Sequence, residues 1–332
     1  MDLPKSYASA LSVYETQRAI GTLKRTFEDL LCDALRLSRV SAPLFVDPRS
    51  GLNDDLNGVE QAVEFEIPAA GASAEIVHSL AKWKRMALSK YRFPVGSGLY
   101  TDMNAIRREE TLDPLHSVYV DQWDWEVAIS RSARNERTLR DAVARIVRAI
   151  SDTHAALRER FPQLRLEFKP DVEFITAQEL EDRYPALTPS GREEAFVREA
   201  GTAFVMRIGD ALRSGARHGT RAPDYDDWSL NGDILYWHEP LGCAMEISSM
   251  GVRVDAETLD RQLVKADCAY RRSYPFHQSL ARGELPDSIG GGIGQSRLCM
   301  LLLEKAHIGE VQVSLWDPET LRLCEAAGIP LL

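Results

Sequence analysis

Strand-forming runs dominate this chain, and they do not alternate with helices. Val63 to Ile67, Glu75 to Leu80, Leu99 to Ile106, Ser117 to Ile129, Val172 to Thr176, Ala203 to Ile208, Asp233 to Trp237, Ala244 to Val254 and Val311 to Trp316 carry the composition of strands. Helical periodicity is confined to Val13 to Leu37, Arg134 to Arg160, and shorter stretches at Arg192 to Glu199, Ala256 to Ala266 and Ser296 to Glu304. A parallel sheet needs a crossover, usually a helix, between neighbouring strands. With too few helices for that, the pattern predicts an α+β fold, a mainly antiparallel β-sheet flanked by helices. No repeat, low-complexity tract or long flexible linker divides the chain, so one large domain or two tightly joined ones would fit.

The first helix carries apolar residues at Ile20, Leu23, Phe27, Leu30, Leu31 and Ala34, a stripe that needs a large partner surface. It runs into Leu37 to Val46, a short strand interrupted by Pro43. Forty basic residues against 50 acidic ones give a formal net charge of -10, the wrong sign for a protein whose main partner is a polyanion. No nucleic-acid partner is therefore expected. Met1 to Tyr7 lacks the basic start and apolar stretch of a signal peptide, and no run approaches the roughly 20 apolar residues of a membrane span. A cytoplasmic location without a membrane partner is expected. Cys32, Cys243, Cys268, Cys299 and Cys324 include no Cys-x-x-Cys pair, and their odd number suits free, packed thiols.

Gly290-Gly291-Gly292-Ile293-Gly294 leads into Gln295-Ser296-Arg297 and then the apolar stretch Leu298 to Leu303. Glycines remove the Cβ atoms that keep a flat ligand from the main chain, and Arg297 adds a planar, permanent charge one helical turn later. Adenine plus phosphate suits that pair; a tight turn before a core helix is the structural alternative. Cys243 to Ser249 sets one acid, Glu246, in an otherwise buried-looking strand. Unpaired and buried, it would cost on the order of several kcal/mol. A salt bridge to Arg253 or Arg297 would relieve it. So would magnesium shared with Asp233, since that ion takes one or two carboxylates together with phosphate oxygens and water.

In the run His116 to Glu126, strand alternation puts Val118, Val120, Gln122 and Asp124 on one face and Tyr119, Asp121, Trp123 and Trp125 on the other. An amide and a carboxylate following two valines suit the floor of a polar pocket where a carboxylate meets an α-ammonium group. His78 to Arg85 ends a strand and starts a basic helical turn, either a solvated face or a partner for an anionic substrate. Arg221 to Trp228 sets three acids around Tyr225 and reads as a loop, because proline and aspartate oppose regular structure.

Gly290 to Arg297 and Cys243 to Ser249, with Arg107-Arg108-Glu109-Glu110 following the strand-like run Gly98 to Ile106, resemble the three-part signature of class II aminoacyl-tRNA synthetases. The match narrows over His78 to Arg85, Tyr119 to Glu126, Arg221 to Ser229, Ser248 to Asp255 and Ile289 to Arg297. These runs resemble the ammonia-dependent asparagine synthetase family, the aspartate–ammonia ligases, over nearly the whole chain. The resemblance implies a class II synthetase-like catalytic fold across residues 1–332, a homodimer built on the first helix and its proline-containing strand, and ATP with Mg2+. It implies the reaction of L-aspartate, ATP and ammonia to L-asparagine, AMP and pyrophosphate.

By the same resemblance, Arg107 bridges the substrate carboxylate and the α-phosphate, Glu110 lies near adenine, and Arg297 stacks on it or reaches the phosphates. Ser248, Gly292 and Gly294 complete the ATP contacts, and Asp233 and Glu246 hold the metal. Ser79, Lys84, Gln122, Asp124, Asp226, Ser249 and Arg253 form the aspartate pocket, with Asp124 or Asp226 on the ammonium group. Lys84, Arg107 and Gln122 act at the reacting centre. Asp54, in the acidic loop Gly51 to Gly58, takes the proton of ammonium or merely shapes a turn. An aspartyl- or asparaginyl-tRNA synthetase is the nearest rival, opposed by the net charge and the missing length of an anticodon domain. A regulatory amino-acid or adenylate sensor is the rival of another class.

Overall fold

The computed structural model describes residues 3–4, 7–54, 56, 60–167 and 170–332. Its strands are β1 (Leu37–Arg39), β2 (Phe45–Val46), β3 (Glu64–Ile67), β4 (Ala72–Ile76), β5 (Gly98–Ile106), β6 (Tyr119–Ala128), β7 (Glu173–Thr176), β8 (Thr202–Met206), β9 (Asp226–His238), β10 (Cys243–Arg253) and β11 (Ser288–Gly294). Eight of them form one sheet in the order β1-β5-β6-β11-β10-β9-β8-β7, and β2-β4-β3 form a small second sheet. Only β1 with β5 and β7 with β8 pair in parallel. Every interior pair is antiparallel, as the scarcity of crossover helices requires.

The helices are α1 (Val13–Leu35), α2 (Ala81–Lys90), α3 (Glu136–Arg160), α4 (Ala177–Arg183), α5 (Pro189–Ala200), α6 (Ala256–Lys265), α7 (Pro275–Ala281), α8 (Gln295–Leu302) and α9 (Pro318–Ala326). A capping box starts α1: the Ser12 hydroxyl accepts from the Glu15 N–H while the Glu15 carboxylate accepts from the Ser12 N–H. Of the α1 stripe, Leu23, Phe27 and Leu31 are fully buried, and Ile20, Leu30 and Ala34 pack beside them. They join α3 and α8 against the sheet residues Trp123, Trp125, Ile234, Met250 and Ile293. Phe27 stands 4.8 Å from Trp123 between ring centroids, and Phe27→Ala is expected to cost about 3–5 kcal/mol. The opposite face of the sheet takes α2, whose Ala87 and Leu88 pack on Leu99 and Ala128. Farther along the same face, α4 and α5 cover Ala203, Val205 and Leu235, and a cavity lies between the two helical covers.

Three expectations are corrected. Val311 to Trp316 forms no strand. A strand needs a hydrogen-bonding neighbour, and this segment is tied down by a side chain instead: Gln312 donates to Ser296 Oγ at 3.0 Å while Val313 and Leu315 stay exposed. The loop read over Arg221 to Trp228 ends at Tyr225, because Asp226 pairs in register with Arg253 and begins β9. Gly290 to Gly294 makes no tight turn but lies within the central strand β11, between β6 and β10. Asp55, Asn57 and Gly58 of the acidic loop lie outside the described residues. The five cysteines are free, and no described helix is long and apolar enough to cross a membrane.

Candidate active site

Strand register sets side chains in rows across the open face. One row runs Glu126, Gly290, Gly251; the next runs Asp124, Gly292, Ser249, Asp233; the third joins Gln122 to Gly294. Above them lies a cavity of about 410 Å³. The glycines clear the sheet for the protein's own side chains: a Cβ at Gly290 would meet Glu126 Oε2 at 2.1 Å, and one at Gly292 would meet Gln122 Oε1 at 2.3 Å. Polar groups of β6 therefore lie flat over β11.

The end near Glu126 is closed. Arg253, 2% exposed, donates Nε and Nη2 to the Glu126 carboxylate at 2.7–3.1 Å and Nη1 to Asp226 Oδ1 at 2.5 Å. Ser288 donates to Glu126 from below at 2.7 Å. Burial opposes the charge on Glu126, yet Arg253 draws its carboxyl below the usual range. For Asp226 burial wins over Arg253, and its carboxyl is raised. Lys84, on α2, bonds Asp124 and donates to the carbonyls of Trp125 and Gly291, each at 3.0 Å. Burial pulls its ammonium below the usual lysine range, and Asp124 opposes that.

Lys82, Lys84 and Arg85 are all buried, so the solvated-face reading of this turn fails. Asp224, Asp226 and Asp227 are buried too. Asp224 meets Lys82 at 3.5 Å, Arg271 at 3.1 Å and His277 at 3.2 Å. Those partners hold its carboxyl far below the usual range despite burial.

The other end is more open. Arg107 follows β5, fixed by its N–H on Val118 O at 2.8 Å, and its buried Nε has no hydrogen-bond partner among the described residues. Arg297, on the first turn of α8, donates to the Glu246 carbonyl at 3.1 Å. Arg107, Glu110, Glu246 and Arg297 share the one cavity and are each half-buried. Neither Arg253 nor Arg297 forms the side-chain salt bridge weighed for Glu246; Arg253 is bonded to Glu126 and Asp226.

Of the expected residues, Asp54, Ser79, Lys84, Gln122, Asp124, Asp226, Ser249, Arg253, Gly292 and Gly294 also line this cavity. Ser248 does not: it pairs with Ile293 and lies with it on the helix-covered face of the sheet. Asp233 sits on the cavity face but does not line it, being bonded to Arg221, which does. A β-bulge between Glu246 and Ser248 sets Glu246 opposite Leu235, so the two acids are not direct cross-strand partners. Asp54 borders a second cavity of about 170 Å³ as well. Its Oδ1 accepts from the Leu56 N–H at 3.1 Å, so turn-forming and cavity-lining coexist in one side chain.

Sequence reasoning missed Glu126, Arg221, Tyr225 and Gln262. For Glu126 the signal was present, because the alternation placing Gln122 and Asp124 in the pocket continues two residues further. Arg221 and Tyr225 stood in a block already singled out. Nothing local marks Gln262.

A family model described as aspartate-ammonia ligase matches residues 14–328. Proteins named aspartate–ammonia ligase from Levilactobacillus brevis and Limosilactobacillus reuteri are 55% and 54% identical to this chain, covering 99% and 100% of it and 99% of each relative. Among solved structures, Entamoeba histolytica asparaginyl-tRNA synthetase in complex with asparaginyl-adenylate superposes with a TM-score of 0.66 at 15% identity, over 90% of this chain and 66% of that one. The Pyrococcus horikoshii asparaginyl-tRNA synthetase complexed with asparaginyl-adenylate gives 0.66 at 15% identity, over 92% and 70%. This likeness concerns the fold and bears out the class II synthetase-like architecture.

Proposed function

The chain belongs to the aspartate–ammonia ligase family, and from that premise we propose that it converts L-aspartate, ammonia and ATP to L-asparagine, AMP and pyrophosphate through a β-aspartyl-adenylate. The observation that carries this reading is one cavity with a closed, ion-paired end and an arginine-lined open end. A carboxylate is a poor acyl donor. Its oxygen attacks the α-phosphorus, pyrophosphate leaves, and the resulting mixed anhydride accepts ammonia at the carbonyl carbon with loss of AMP.

At the closed end, Arg253 takes an aspartate carboxylate, Asp124 or Asp226 takes the α-ammonium, and Ser79, Gln122 and Ser249 complete the pocket. Lys84 and Arg107 bring positive charge to the reacting carboxylate and α-phosphate, which supplies orientation and electrostatic stabilisation together. Arg297 and Glu110 hold the nucleotide over Gly292 and Gly294. Asp54 attracts ammonium and takes its proton before attack.

Asp233 and Glu246 are the residues that would hold magnesium. Among the described residues Asp233 Oδ1 is buried with no hydrogen-bond partner in normal geometry, and burial with nearby Glu246 raises its carboxyl despite Arg221 and Ser249. Such a pair fits a cation that completes its shell with phosphate oxygens and water. Bound there, the ion would neutralise phosphate charge. The chain acts as one catalytic domain over residues 1–332 and as a cytoplasmic homodimer, and the exposed apolar Leu44, Phe45 and Phe65 at the small β2-β4-β3 sheet support the dimer.

Incubation with ATP, aspartate and ammonium, without RNA, should yield AMP and asparagine in equal amounts. ADP as the product, or a requirement for tRNA, would overturn the assignment.

A further inference from the structure

Asp226 stands where an irregular segment enters β9, and one side chain outside the cavity fixes the main chain on both sides of it. Gln262, 3% exposed on α6, accepts from the Trp228 N–H through Oε1 at 2.9 Å. Its Nε2 donates to the carbonyls of Pro223 and Asp226, each at 2.9 Å. Both donors of the amide are thereby used on backbone. A fourth tie, Val254 N–H to Tyr225 O at 2.8 Å, registers the same segment against the end of β10.

Arg253 ends β10, and α6 begins at Ala256. One strand–helix unit thus holds Asp226 twice: Arg253 grips its carboxylate and Gln262 its backbone. The platform is firm, because Leu259 and Leu263 of α6 pack with Val254, Cys268 and Leu280. Gln262 itself does not line the cavity.

We infer that Gln262 is a positioning residue for the amino-acid pocket: by fastening Pro223, Asp226 and Trp228 to α6 it sets the reach of Asp226 and Tyr225 toward Arg253, and so sets affinity for aspartate without touching it. The inference rests on the reading of the closed end as the aspartate pocket. Gln262→Met keeps the length and removes all three bonds. Gln262→Glu keeps the acceptor but sets a carboxylate against two carbonyls.

The test is steady-state kinetics of the full chain with aspartate, ATP and ammonium varied separately, together with calorimetric titration of aspartate. Gln262→Met is expected to raise the aspartate KM and Kd about tenfold, the loss of one to two buried hydrogen bonds, and Gln262→Glu more. The ATP KM and kcat should stay within about threefold. Gln262→Asn, whose shorter amide reaches part of the set, should fall between, and serves as the test if the other two do not fold. An aspartate KM and Kd within twofold of wild type in Gln262→Met overturns the inference. So does a parallel change in aspartate KM, ATP KM and kcat, which would mark Gln262 as packing only. If wild type binds aspartate but forms no AMP, the proposed reaction fails while the Kd comparison still judges Gln262. If wild type binds no aspartate, both fall.

Discussion

At the closed end of the cavity, Lys84, Asp124, Glu126, Asp226 and Arg253 are each 3% exposed or less, and all are ion-paired before any ligand arrives. At the open end, Arg107, Glu110, Glu246 and Arg297 are half-buried, and the bond shown for the Arg297 side chain is to a carbonyl. The contrast separates two kinds of charge. A buried charge is tolerable only if paired, so the fold itself depends on the closed-end set. Charges at the open end remain hydrated, so they are available for a phosphate chain and contribute little to folding.

The largest expected effect breaks the closed end. Arg253→Met leaves Glu126 and Asp226 buried without their cation, and is expected to lower unfolding free energy by about 3–5 kcal/mol in urea titration and abolish aspartate-dependent AMP formation. A variant as stable as wild type would show that the pair does not hold this end.

Arg107→Met should give the converse. Pyrophosphate exchange is expected to fall roughly 10²–10³-fold, on the scale of losing one transition-state donor, with unfolding free energy within about 1 kcal/mol of wild type. Comparable losses of stability in both variants would erase the distinction between the two ends.

Asp54→Asn sharpens the comparison at the boundary between the cavities. Adenylate formation, read by pyrophosphate exchange, should be spared while asparagine release drops about 10²-fold, the range for one general base. Equal loss of both half-reactions would reduce Asp54 to the turn former that its bond to the Leu56 N–H also makes it.

The effect with least bearing on catalysis concerns the stability supplied by buried groups on the helix side. Burial pushes His238 and His307 from 6.5 down to about 4. The folded state therefore favours their neutral forms. The stability this brings is complete above about pH 6.5 and is lost as pH falls toward 4, on the order of a few kcal/mol for the pair. Unfolding free energy measured between pH 7 and 4 should decline, and His238→Gln should flatten part of that slope. A slope unchanged in the variant would locate the acid sensitivity elsewhere.

Local pattern made much of this legible. The α1 stripe, the period-two face of β6 and the antiparallel sheet follow from spacing alone, since 3.6- and 2-residue periods fix which side chains share a face. Other features were opaque locally. Val311 to Trp316 has strand composition and no partner strand. The basic turn Lys82 to Arg85 looks solvated until Asp224, Asp124 and the carbonyls of Val254 and Pro286 are found around it.

The sequence by itself determined the fold class, the family and a set of candidate residues most of which face the cavity, because periodicity and contiguous motifs are properties of neighbouring residues. Only the tertiary structure decided which charges are paired. Arg253 meets Glu126 across 127 positions of chain, and Lys84 meets Asp124 across 40. Pairing at that range depends on strand register and burial, since Coulomb attraction becomes decisive only where folding has removed the water.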